Sequence, residues 1–75
     1  MKPIMVDSTT LSIVAYDSRH RFLQVEFHDR TTYRYSDVPL DVFRSLLNAS
    51  SKGAFFNRHI RGRFPYARVE APSLS

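Results

Sequence analysis

Two short segments alternate between apolar and polar side chains, and this alternation constrains the fold most strongly. Phe22–His28 (FLQVEFH) alternates throughout, and Thr31–Ser36 (TTYRYS) places two tyrosines on one side. Successive side chains of a strand point to opposite faces, so a period of two predicts a pair of strands. Leu11–Tyr16 (LSIVAY), apolar and rich in β-branched residues, precedes them. The three runs predict an antiparallel meander of three strands.

The loop between the second and third strands admits two registers. A two-residue loop, 29–30, would pair Tyr33 with Glu26 and turn both tyrosines to the polar face. A three-residue loop, 28–30, would pair Tyr33 with Val25. A tight type I′ turn needs positive φ at both central residues, which arginine tolerates poorly, and pairing of aromatic with β-branched residues favours the longer loop. We therefore predict the longer loop, with both tyrosines facing the core.

The next part of the chain predicts two helices. Pro39–Ala49 has helical spacing, with Pro39 suited to the first position and Asp41 to the first turn. Its apolar face comprises Leu40, Val42, Phe43, Leu46 and Leu47. Ser50 or Ser51 is a natural cap for a second helix, Lys52–Arg61, which Gly62 would end at the C′ position.

The second predicted helix has an apolar side and a cationic side. The apolar side holds Phe55, Phe56, His59 and Ile60, so we expect His59 to be a packed histidine. The other side holds Asn57, Arg58 and Arg61. Helical spacing thus separates the rings of this segment from its cations.

The remaining segments complete an α+β domain. Phe64–Tyr66 should be extended, because the residue before a proline avoids helix, and Tyr66–Val69 allows a short C-terminal strand. Residues near Val6 allow an edge strand, and Ala71–Ser75 should fray. We expect one domain over residues 1–75, with a core of about 7–69 and both helices packed on one face of the meander.

Charge is distributed unevenly along the chain. The net charge is +4, yet residues 1–41 carry five Lys or Arg against six acids, whereas residues 42–75 carry six against Glu70 alone. Such asymmetry indicates attraction to polyanions, although a solvated basic face that keeps a small protein soluble gives the same pattern.

The candidate binding residues lie in Asn48–Val69, where cations stand among aromatic rings and no acid occurs. For contacts to a nucleic-acid backbone we select Lys52, Asn57, Arg58, Arg61 and Arg63, with Tyr66 as a ring on which a base could stack. For most aromatic rings, core packing is the stronger interpretation. Phe64 and Tyr66 are the best exceptions.

Other function classes find little support in the sequence. Three histidines without cysteine or a helical His-x-x-x-His pair do not indicate a metal site. No Gly-rich phosphate loop is present, and Ser50, Ser51 and His59 are better explained as caps and packing than as a catalytic set. We expect neither an enzyme nor a cofactor, and no membrane association. The lack of cysteine and of an apolar leader predicts a cytoplasmic protein.

Several motifs, in order along the chain, resemble the KTSC domain family, which takes its name from a domain at the C-terminus of some lysyl-tRNA synthetases. They are Tyr33-Arg34-Tyr35, Val38-Pro39, Leu46–Ser51, Gly53, Phe56-Asn57, Ile60-Arg61 and Pro65-Tyr66. The resemblance spans about 7–69 and includes the family's central Tyr-x-Tyr, whereas Asp29-Arg30 replaces a turn that often contains glycine. It implies free-standing bacterial proteins of this size as relatives, and the synthetase association suggests RNA binding.

Together these features predict a small, non-enzymatic nucleic-acid-binding module that favours RNA, with a tRNA-like partner suggested by the family association alone. The alternative is a protein-interaction module that docks an acidic protein partner through the same segment. The oligomeric state stays open.

Overall fold

The computed structural model describes residues 2–69, which form one five-stranded antiparallel sheet and two helices. The elements are β1 (Ile4–Met5), β2 (Leu11–Asp17), β3 (Phe22–Phe27), β4 (Thr32–Tyr35), α1 (Leu40–Asn48), α2 (Lys52–His59) and β5 (Tyr66–Val69). The strands lie in the sheet in chain order. The α+β class is confirmed. The predicted three-stranded meander is the centre of a larger sheet, to which β1 and β5 add the two edges.

The hairpin between β3 and β4 has the predicted three-residue loop. Val25 pairs with Tyr33 and Leu23 pairs with Tyr35, so both tyrosines lie on the core face. The backbone N–H of Arg30 donates to Phe27, and Arg30 has φ of 76°. One left-handed residue after a tight turn is the usual geometry of a three-residue hairpin loop, so only one residue bears the strain of positive φ.

Both helices pack on the same face of the sheet. The core joins this face of β2, β3 and β4 to the buried sides of α1 and α2. Phe56 has no exposed surface, and its ring meets Phe27 and Tyr35 edge to face at 5.5 Å each. Burial of a large side chain of this kind stabilises the fold by about 1.5–3 kcal/mol. α2 is therefore anchored to the sheet through its middle.

Local signals define the helix ends as predicted, with small differences. Pro39 is the N-cap of α1, and the Ser51 hydroxyl accepts a hydrogen bond from the Ala54 backbone N–H at 3.3 Å, which identifies Ser51 rather than Ser50 as the cap of α2. Ile60 is the C-cap of α2, so Gly62, with φ of 76°, lies two residues beyond it. At Gly62 the backbone uses the conformational freedom that glycine supplies.

Two predicted core residues are exposed. His59 lies on the surface of α2, where its ring rests on Phe55 at 4.6 Å between centroids. Leu40 is 40% exposed in the first turn of α1. The buried stripe of α2 runs through Gly53, Phe56 and Ile60. His59 lies about 90° from the centre of that stripe, at 100° per residue, so the prediction of a packed histidine was wrong.

No helix within residues 2–69 is long and apolar enough to cross a membrane. The predicted fraying of Ala71–Ser75 concerns residues outside the described range.

Candidate functional site

The two ends of α2 use their cations differently. Lys52, at the N-terminal end, is half-buried, and its ammonium group donates a hydrogen bond to the Ala49 carbonyl oxygen at 3.0 Å. This carbonyl follows the last turn of α1, where backbone acceptors lack intrahelical partners. The Lys52 charge is therefore engaged in joining α1 to α2, about 9 Å along the helix axis from Arg58.

The C-terminal end of α2 presents exposed cations. Arg58, Arg61 and Arg63 are all exposed, and Nη1 of Arg61 donates to Oδ1 of Asn57 at 3.1 Å, one helical turn away. Within residues 2–69, no carboxylate lies at salt-bridge distance from any arginine. The positive charge of this end therefore faces solvent without neutralisation by the described carboxylates.

Tyr66 adds an exposed ring three residues after Arg63 in the chain. It begins β5 and pairs with Tyr35 across the sheet, and it is 62% exposed. Its ring stands edge to face with Tyr33 at 5.6 Å and tilted to Tyr35 at 5.5 Å. Phe64, the other ring for which exposure was expected, is half-buried and packs on the core.

Sequence reasoning left Arg68 out of the candidate site. Arg68 pairs with Tyr33 across β4 and β5, so it lies on the same face of the sheet as Tyr66. The period of two from Tyr66 along an extended segment was the signal that could have identified it. The hydrogen bonds from Thr31 hold the pKa of Asp29 below its usual value, and the charge of Arg68 lowers it further.

A polar cleft of about 470 Å³ opens beside this surface. Three parts of the chain form it: the segment before β2, the tip of the β3–β4 hairpin with Tyr33, and the exposed side of α2. The lining residues are Thr9, Thr10, Phe27, His28, Asp29, Thr31, Tyr33, Asn57 and Arg61. Of the predicted site residues, Asn57 and Arg61 line the cleft. Its other walls come from residues distant in sequence, and no local pattern marked them.

Two contacts fix the walls of the cleft. Nε2 of His28 lies 2.7 Å from the Ser8 carbonyl oxygen, which ties the segment before β2 to the hairpin tip. A Cβ atom on Gly53 would lie 2.7 Å from Oγ1 of Thr10, so this glycine permits the same segment to approach α2 closely. The segment before β2 is therefore fixed against the hairpin tip and against α2.

The cleft and the cationic surface provide binding groups. Burial raises the pKa of the Tyr35 hydroxyl, and the nearby charge of Arg61 opposes that rise. Within residues 2–69, no three His, Asp or Glu side chains cluster closely enough to hold a metal ion. The arrangement of arginines, a tyrosine ring, an amide and a carboxylate is suited to recognising a ligand with both anionic and polar parts.

The family model of the KTSC domain matches residues 7–64. The chain belongs to the KTSC domain family. A crystal structure of a KTSC domain protein from Yersinia pestis superposes with a TM-score of 0.88 at 31% identity, covering 91% of this chain and 96% of that one. The fold and the family therefore agree.

Relatives of this KTSC domain fall into two kinds. An uncharacterized protein of Stutzerimonas stutzeri is 35% identical over 71 residues, covering 93% of this chain and 100% of that protein. A lysine–tRNA ligase of Trichormus variabilis is 41% identical over 54 residues, covering 72% of this chain. The match spans only 10% of that ligase. The domain thus occurs both as nearly a whole small protein and as a small part of a tRNA ligase.

Proposed function

We propose that this KTSC domain is a small, non-enzymatic RNA-binding module whose contact surface is the C-terminal end of α2 together with β5. One observation carries the proposal: Arg58, Arg61 and Arg63 are exposed around the end of α2, close in the chain to the exposed ring of Tyr66. Guanidinium groups recognise phosphate oxygens in pairs, and an exposed ring offers a base a stacking partner.

Each residue has a distinct role in the proposed complex. The three arginines contact phosphates, and Arg68 adds a fourth contact from β5. Asn57 holds the guanidinium of Arg61 through the 3.1 Å hydrogen bond, and Tyr66 stacks on a base. Lys52 is outside this surface, because its ammonium group already bonds to Ala49 at the other end of α2.

The ring and the relatives favour RNA over an acidic protein. The arginines fit either partner, and every base of a single strand has a face that can stack on the exposed ring of Tyr66. A relative that is a lysine–tRNA ligase carries a domain of this family, which supports a partner of the tRNA type.

Salt-titrated binding tests the proposal. The measurement is fluorescence anisotropy of a labelled single-stranded RNA and of a tRNA pool against the parent protein and the triple variant Arg58→Ala, Arg61→Ala, Arg63→Ala. Four phosphate contacts give a slope of about −3 in log K against log salt on a single strand, at about 0.7 per phosphate. The triple variant should lose about two units of that slope.

A control of equal charge loss separates the surface from the net charge. Lys2, Arg19 and Arg44 are also exposed and lie outside the proposed surface, so replacing all three with alanine should leave most of the slope intact. If both triple variants lose the same part of the slope while circular dichroism shows that both are folded, net charge alone explains the effect and the proposed surface is wrong. Tighter binding to an acidic peptide than to RNA would favour the protein-docking alternative instead.

A further inference from the structure

The cleft described above has the size of a small-ligand site and the chemistry of a particular ligand class. Its volume of about 470 Å³ lies within the roughly 300–1,000 Å³ usual for such sites. Its lining is mostly polar, with hydroxyl groups from threonines on two walls. A purely apolar ligand would leave these groups unsatisfied, so the cleft suits a polar ligand.

Asp29 supplies an acceptor at the hairpin tip. Its Oδ1 accepts hydrogen bonds from the backbone N–H of Thr31 at 3.0 Å and from the Thr31 hydroxyl at 2.6 Å. Its other oxygen, Oδ2, has no hydrogen-bond partner among residues 2–69. An ionised carboxylate accepts hydrogen bonds and donates none. Oδ2 can therefore accept a hydrogen bond from a ligand that donates, such as a hydroxyl group.

Two other lining residues supply donors and positive charge. Asn57 lines the cleft from α2 and Arg61 from the turn that follows α2, and their mutual hydrogen bond orders both side chains. Tyr33 also lines the cleft, and its ring is held edge to face by Phe27 at 5.9 Å and by Tyr66 at 5.6 Å. The cleft therefore has cationic and donor groups suited to an anion, a fixed aromatic ring and an acceptor, from the turn after α2, from β4 and from the β3–β4 loop.

We propose that this cleft binds one ribonucleotide unit, with its phosphate at Arg61, its base against Tyr33 and its ribose hydroxyl donating to Asp29. The unit can be a residue of a single-stranded RNA or a free nucleotide, since both present the same groups. For the RNA case the inference rests on the proposed function. A carboxylate that accepts from the 2′-hydroxyl distinguishes ribose from deoxyribose.

Free nucleotides test the cleft independently of RNA binding. The experiment is a ¹⁵N NMR titration with each ribonucleoside 5′-monophosphate, with its 2′-deoxy counterpart and with inorganic phosphate. Ribonucleotides should shift the Thr31 backbone amide and the Asn57 side-chain amide at lower concentrations than deoxynucleotides do. Shifts confined to the surface arginines, equal for inorganic phosphate and nucleotides, would overturn the cleft as a nucleotide site.

A matched pair of aspartate variants tests the ribose contact in RNA. Asp29→Ser retains a hydroxyl that can accept from the Thr31 N–H in the same turn, but removes Oδ2. Asp17→Ser is the control, because Oδ1 of Asp17 accepts from Arg19 in the β2–β3 turn, which contributes no residue to the cleft. The parent should prefer a ribo-oligonucleotide to its deoxy counterpart about tenfold, the usual effect of one hydrogen bond to a charged group. Asp29→Ser should lose that preference and Asp17→Ser should keep it.

The outcomes separate the two proposals. Salt-dependent RNA binding with no ribose preference, or with a preference that Asp29→Ser retains, overturns the cleft site and leaves the RNA-binding surface. Binding of free ribonucleotides with the predicted Thr31 and Asn57 shifts, together with no binding of RNA, supports the cleft and removes the proposed function. If the protein binds neither free ribonucleotides nor RNA, both proposals are overturned.

Discussion

The two ends of α2 differ in how far the rest of the protein uses them. At the N-terminal end, Ser51 caps the helix, Lys52 bonds to the carbonyl of Ala49, and Gly53 lies against Thr10. At the C-terminal end, Arg58 and Arg61 are exposed. The N-terminal end of this basic segment therefore stabilises the fold, whereas its C-terminal end is free to bind a partner. Exposure, and not the presence of a basic residue alone, marks the candidate binding surface.

The largest predicted change in stability tests the packing at the N-terminal end of α2, at Gly53. Alanine normally stabilises a helix interior relative to glycine by about 0.5–1 kcal/mol. At position 53 its Cβ would lie 2.7 Å from Oγ1 and 3.0 Å from Cβ of Thr10, so the segment before β2 must move. We expect Gly53→Ala to lower the free energy of unfolding by about 1–3 kcal/mol in urea denaturation.

The neighbouring residue provides the matched control for Gly53. Ala54 is exposed on α2, so Ala54→Gly should follow ordinary helix propensity and cost about 1 kcal/mol. Adding Thr10→Gly to Gly53→Ala should recover part of the loss that Gly53→Ala causes. A stabilised Gly53→Ala variant would show that the N-terminal end is not tightly packed against Thr10.

A smaller effect should distinguish Lys52 from Arg58. Lys52→Met keeps much of the side-chain stem but removes the hydrogen bond to Ala49, which should cost about 0.5–1.5 kcal/mol. Arg58→Met removes an exposed cation and should change the free energy of unfolding by less than about 0.5 kcal/mol. Thermal unfolding of both variants measures the difference. RNA binding should reverse the order, with Arg58→Met the weaker binder.

Comparable stability losses in Lys52→Met and Arg58→Met would contradict the claim that only the N-terminal end of α2 contributes to stability. Equal RNA affinities of the two variants would contradict the assignment of Arg58, but not Lys52, to the binding surface, even if their stabilities differ as expected.

The smallest predicted effect is on the ionisation of Tyr35 near the C-terminal end. Burial raises the pKa of its hydroxyl above 10.0, so the neutral form favours the folded state. This contribution to stability is complete below pH 10 and is lost as pH rises through the folded pKa. The charge of Arg61 opposes the rise, so Arg61→Gln should move the pKa further upward. Ring ¹³C NMR of Tyr35 follows the titration, and a downward shift would contradict the assigned influence of Arg61.

Much of the fold was predictable because its signals are local. Alternation in β3 and β4 fixed which side chains face the core, and the strain of positive φ at Arg30 selected the loop. Capping by Ser51 follows from a hydrogen bond that reaches only three residues along the chain. Such signals need no knowledge of distant segments.

The errors and omissions share a physical reason. His59 was assigned to the core because helical spacing placed it near Phe55 and Phe56, but the sheet buries a stripe centred elsewhere on α2. Arg68 was omitted because its place beside Tyr33 depends on the register of β5 against β4. In both cases a neighbour distant in sequence determines exposure.

By itself the sequence determined the α+β class, the central meander, the two helices and the concentration of positive charge after residue 42. These depend on periodicity, turn chemistry and composition, which act over a few residues. The tertiary structure alone decided that the arginines are free of the described carboxylates and that Thr10, Asp29 and Asn57 border one cleft. Long-range packing brings those residues together, and no interaction between neighbours in the chain encodes it.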